Sequence, residues 1–127
     1  QALNHALDAR EHALNAVRTA ADTRARVRGE LEQRMADLDT SLRALEARIV
    51  EAETAKVGRQ ALTSAKAATT RVARALAEAR PLLDAGTDDK AEALLSPLSA
   101  LLTQTQSEID AAIADRNSRR PVRRTRR

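Results

Sequence analysis

The chain has 127 residues, a formal net charge of +4, and no Phe, Tyr, Trp or Cys. Its 43% hydrophobic content leans on alanine, which buries little area, so a globular core built around aromatic side chains is excluded. So are disulfides, thiolate nucleophiles and cysteine-ligated metal or iron–sulfur centres. Seven of the 22 basic residues fall within residues 116–127, leaving 15 against 18 acids, so residues 1–115 carry about −3. No stretch approaches the length and apolarity of a membrane-spanning helix. There is no basic-then-apolar signal at the N-terminus, and a chain beginning at Gln1 reads as a fragment, a processed form or part of something longer.

Residues 1–56 read as one long helix. Helix formers dominate, and Gly29 is the single Gly or Pro. Placing heptad a at residues 7, 14, 21 and onward puts Leu3, Leu7, Leu14, Val17, Leu31, Met35, Leu38, Leu42, Leu45 and Ile49 on one seam. From Leu31 to Ile49 the run is uninterrupted, and a repeat of 3.5 residues held in phase favours a left-handed supercoil with another helix. Ala21, Arg24, Arg28 and Gly29 weaken its middle, where a local loosening or small bend is expected. No turn cluster accompanies them, which argues against a full reversal. Arg34 and Arg48 at g face Asp39 and Glu53 at e in a parallel dimer, a modest preference for that orientation. The coiled-coil seam Leu31, Met35, Leu38, Leu42, Leu45 and Ile49 is the candidate surface for self-association.

After Lys56 that register fails and a new alanine-rich stripe begins, Ala61, Ala65, Ala68, Val72, Ala75, Ala79 and Leu82. Residues 57–80 therefore read as a helix continuous with the first, with a short break near Gly58 as the second choice. Pro81 disfavours helix at Arg80 and Gly86 suits a turn, so residues 81–89 read as the connection. Thr87, Asp88 and Asp89 are successive N-cap candidates, and Asp89 with Glu92 resembles a capping box. A helix over 90–116 follows, broken or kinked at Pro97, and pairs antiparallel with 61–80. Asn117, Ser118 and Pro121 end it, and residues 117–127 read as a disordered basic tail.

The fold class is thus all-α: a long coiled-coil-like N-terminal helix, an antiparallel helical hairpin, and an arginine-rich tail. Its chemistry is sparse. His5, Asp8 and His12 share a face at helical spacing but on the outward side of the heptad, where a closed metal shell is hard to assemble. No phosphate loop, metalloprotease motif or nucleophile elbow is present. No catalytic or cofactor residue, cofactor, metal or small-molecule substrate is expected, and the chain does not read as an enzyme.

Two functions fit. One is a structural or interaction protein that oligomerises with itself or docks on another helical protein, with the tail as an electrostatic anchor. The other is a nucleic-acid-associated protein whose Arg116, Arg119, Arg120, Arg123, Arg124, Arg126 and Arg127 grip DNA or RNA phosphates. Without aromatic residues for stacking, such binding is nearly blind to sequence. A cytoplasmic, nucleoid or nuclear setting suits either.

Overall fold

A computed structural model describes residues 2–119. Four helices follow one another: α1 (Ala2–Thr54), α2 (Arg59–Asp84), α3 (Asp88–Leu95) and α4 (Leu98–Arg119). The all-α class, with its long first helix and following hairpin, is as the sequence leads one to expect. Gly29 does not interrupt α1, and a Cβ there would meet nothing within 4 Å.

The first departure comes at the end of α1. Rather than continuing into 57–80, the chain stops at Thr54 and reverses. Lys56 adopts a left-handed φ of 59°. Its N–H donates to the Glu53 carbonyl at 3.1 Å, and the Val57 N–H donates to the Ala52 carbonyl at 3.1 Å. This is a Schellman cap, with buried Val57 packed in the core beside buried Ala52 as its apolar clasp. The turn was hard to foresee because the residue in the left-handed position is lysine, two places before Gly58.

The next turn uses the same motif with the usual residue. Gly86 has φ 78°, its N–H donates to Leu83, and the Thr87 N–H donates to Leu82 at 2.9 Å. Helix α2 therefore runs through Pro81 to Asp84 instead of ending at Arg80. Pro81 lies in the last turn, and its carbonyl accepts the Ala85 N–H at 2.9 Å. A proline beyond the first turn of a helix removes an intrahelical bond, but near the end of a well-packed helix the loss does not stop the turn from closing. Helix α3 starts after Thr87 without a side-chain cap, and Asp88 and Asp89 lie in its first turn, where the helix dipole favours acids. Ser96 and Pro97 break the return limb, and α4 restarts at Leu98.

Ion pairs fix the directions. Arg28 reaches Asp84 at 3.4 Å and Arg80 reaches Glu32 at 3.8 Å, while at the other end Lys66 reaches Glu53 at 3.2 Å. So α2 runs antiparallel to the second half of α1. Arg48 pairs with Asp110 at 2.6 Å, and Leu38 and Ser41 share a groove with Ser99 and Leu102, so α4 runs parallel to α1. The result is a three-limbed bundle with α3 and α4 as one broken limb. Its core joins Leu31, Leu38, Leu42, Leu45, Ile49 and Ala52 to Val72, Leu83, Leu95, Leu102, Ile109 and others. Ala65, Ala68 and Ala79 are buried on α2, and their small side chains let that helix approach closely at the expense of apolar area.

Candidate functional site

The six seam residues do not face another chain. Leu31, Leu38, Leu42, Leu45 and Ile49 are 5% exposed or less, and Met35 is half-buried against the same core. The sequence marked a self-association surface here; the structure makes it the interior of one chain. The cause is the unforeseen reversal at Lys56, which folds α2 back over the seam, and the parallel return of α4. The parallel-dimer argument from Arg34, Arg48, Asp39 and Glu53 lapses with it. Arg48 instead binds Asp110 and Glu51, and Arg43 binds Asp39. These hydrogen bonds, to Asp110 first for Arg48 and to Asp39 for Arg43, raise both guanidinium pKa values above the ordinary arginine range.

What the bundle leaves uncovered is the first half of α1. Residues 3–26 are all exposed, and the first half-buried side chain is Val27. At 1.5 Å per residue this arm extends roughly 36 Å beyond the bundle. It carries Leu3, Leu7, Leu14 and Val17, with exposures of 72%, 54%, 51% and 66%. All four lie on the a/d seam that continues into the core further along. Among the described residues no ion pair involves any arm residue before Arg28, although Asp8, Arg10, Glu11, Arg18, Asp22, Arg24 and Arg26 are all there. Its side-chain hydrogen bonds are local, Thr19 to the Asn15 carbonyl and Thr23 to the Thr19 carbonyl. The sequence holds this signal too, since Leu3 to Val17 sit on the same heptad, but charges at Arg10, Arg24 and Arg28 make it weaker than the leucine run downstream.

The second feature is the opposite end of the bundle. There the α1–α2 turn brings Lys56 and Arg59 to the same end as Arg116 and Arg119 of α4, all exposed. Helix α4 runs three residues past Arg116. Arg119 pairs with Asp115 at 3.3 Å and Ser118 Oγ donates to the Asp115 carbonyl at 3.0 Å; two cations in a last turn also suit the helix dipole. Asn117 and Ser118 thus belong to the helix and not to a tail. Arg120, Arg123, Arg124, Arg126 and Arg127 lie outside the described residues.

Two of the remaining hollows lie along α4. The groove between α1 and α4 is lined by Leu38, Ser41, Ala44, Ser99, Leu102, Thr103 and Gln106. A shallower strip on α4 holds Ser96, Ser99, Thr103 and Ser107, with Glu108 its one ionisable residue. Neither brings two acids together to divide a proton, and the groove between α1 and α4 has no ionisable side chain in its lining. His5, Asp8 and His12 stand on the exposed arm. Among the described residues no three His, Cys, Asp or Glu side chains come together as metal ligands, and no helix is long and apolar enough to cross a membrane. No protein-family model, curated protein or solved structure matches the chain.

Proposed function

We propose that this is a non-enzymatic interaction protein: a three-limbed helical bundle that presents a projecting arm for docking on another helix. The observation that carries the reading is the bare stripe Leu3, Leu7, Leu14 and Val17. Helices in proteins draw most of their stability from packing an apolar face, which residues 3–26 lack within their own chain, and four large apolar residues at heptad spacing suit a partner's groove or seam. The bundle supplies a fixed base, because the arm and the core share one unbroken helix.

The test compares capture by three chains: the full one, Leu7→Asp with Leu14→Asp, and a chain truncated to residues 27–127. Partners held by the first and lost from the other two, with the bundle's melting curve unchanged, support the reading. An identical set held by all three moves docking away from the arm and sinks it.

A second reading rests on the basic end. Lys56, Arg59, Arg116 and Arg119 share one end of the bundle, and the chain continues from there into five further arginines. This supports phosphate-backbone binding to DNA or RNA, with the tail as the main contact. If all seven arginines from Arg116 to Arg127 engage duplex DNA, the log–log salt slope approaches about −6. Titration at two salt concentrations, with the full chain and one ending at Asp115, decides this. Equal binding by both chains, or none at low salt, removes it.

A further inference from the structure

The arm's stripe names its own occupant. We propose that residues 3–21 pair antiparallel with the same residues of a second copy of this chain, with Leu7 opposite Val17 of that copy. This rests on the reading of the arm as a docking element and goes further by fixing the partner, the orientation and the register.

Orientation follows from charge. In a parallel, in-register pair the seam would stack Arg10 on Arg10, Arg24 on Arg24 and Arg28 on Arg28, three layers of like charge. Turning one helix around separates them. Arg10 then lies opposite Leu14 of the second copy, its aliphatic stem on the leucine and its guanidinium free to bend outward. One turn along, roughly 4.5 Å by helical rise, sits Glu11 of the second copy. The two Arg10–Glu11 contacts flank the twofold axis and neutralise the meeting of the two glutamates. Neither Arg10 nor Glu11 has an ion-pair partner within its own chain among the described residues.

Register follows from the apolar positions. Setting Leu7 against Val17 also sets Leu3 against Ala21, so each exposed leucine at the arm's ends meets an apolar partner. Sliding by one heptad one way puts Leu3 and Leu7 against Arg28 and Arg24; sliding the other way takes Leu7 off Val17 and sets it against Arg10. The g positions in this stretch are Ala6, Ala13 and Ala20. Antiparallel pairing brings g against g, so one flank of the interface is alanine on alanine and the backbones can approach closely. The paired stretch also ends before Val27, where the bundle begins, so the two bundles stand at opposite ends of the pair without collision.

A strip of roughly 28 Å, on the order of 1,000 Å² in total, falls at the small end of specific interfaces. The pair is read by light scattering on the full chain across a concentration series from about 1 to 500 µM, because burial must offset the cost of association before a dimer forms. The expected mass rises from that of the 13.8 kDa chain to twice that value, and Leu7→Asp with Leu14→Asp holds it at the monomer while the bundle's melting temperature is unchanged.

The chain has no cysteine, so engineered disulfides read the geometry directly. Ala13→Cys should crosslink to itself, and Ala6→Cys should crosslink to Ala20→Cys when the two variants are mixed. A Leu14→Cys self-crosslink without these marks a parallel pair and overturns the proposal, though the arm still docks. A crosslink from position 13 to position 20 in its place marks a heptad shift and overturns the register. A monomer at every concentration, or a dimer that survives both aspartates, overturns self-pairing itself, and the capture comparison above then stands or falls separately.

Discussion

The two halves of α1 share one helix and one heptad register, yet residues 31–52 form the centre of the bundle while residues 3–26 are bare. Periodicity alone does not separate them. The density of large residues does: the second half offers Leu or Ile at five of its seam positions without a charge between them, whereas Arg10, Ala21, Arg24 and Arg28 dilute the first. A further difference is chain topology. Helices α2 and α4 can cover only as much of α1 as their own length reaches, and the covered stretch of α1 begins at Val27, beside the Arg28–Asp84 and Arg80–Glu32 contacts with α2. Heptad spacing thus states which face of a helix is sticky and leaves open what it sticks to.

The contrast breaks hardest at Leu45, fully buried in the second half. Leu45→Ala should cost about 2–5 kcal/mol by lost burial and cavity formation, read as a fall in the denaturant midpoint. Leu14→Ala, at an equivalent kind of seam site in the first half, should leave that midpoint within about 0.5 kcal/mol at monomeric concentrations. Equal losses at both sites would mean that the arm is packed after all.

The turn that separates folded-back from projecting helix can be tuned next. Lys56 holds a left-handed conformation that costs a non-glycine residue about 1–2 kcal/mol, so Lys56→Gly should stabilise the bundle by about 1 kcal/mol, less the flexibility added to the unfolded chain. Gly86→Ala at the sister turn should destabilise it by a similar amount. Thermal or urea unfolding of the pair checks the opposite signs, and two changes of the same sign would undo the account of the turns.

The smallest effect lies at the junction. Gly29 is helical with open space around it, so Gly29→Ala should raise local helix stability by at most about 1 kcal/mol. Hydrogen exchange across residues 22–30 should slow, and the midpoint of the bundle should move little. Unchanged exchange there would show that Gly29 does not limit the arm's order.

Much of the fold was legible because it rests on patterns that reach only a few residues: helix-forming composition, the apolar face of α4, Gly86, and the restart after Pro97. The reversal at Lys56 was legible only as the second choice of a short break near Gly58, since a lysine in a glycine's position carries no local mark, and the tertiary gain of closing the bundle decides it. Pro81 misled for the converse reason, a strong local signal outweighed by packing of Ala79 and Leu83 on either side. The error at the site followed from the error at the turn. If α1 and α2 formed one rod, Leu31 to Ile49 would have no cover within the chain, and a second copy would be the natural occupant. Once the rod folds, the same reasoning passes to Leu3, Leu7, Leu14 and Val17.

The parallel placement of α1 and α4 has a mechanical consequence. The arm leaves the bundle at one end and α4 finishes at the other, at Arg119. Tension applied between a partner on the arm and a partner on the tail would pull α1 and α4 lengthwise past each other, so the layers between them, from Leu38 with Leu102 to Arg48 with Asp110, would bear the load together instead of peeling one at a time. Such a bundle is arranged to hold when stretched along its axis and to yield readily when α2 is pried away from the side.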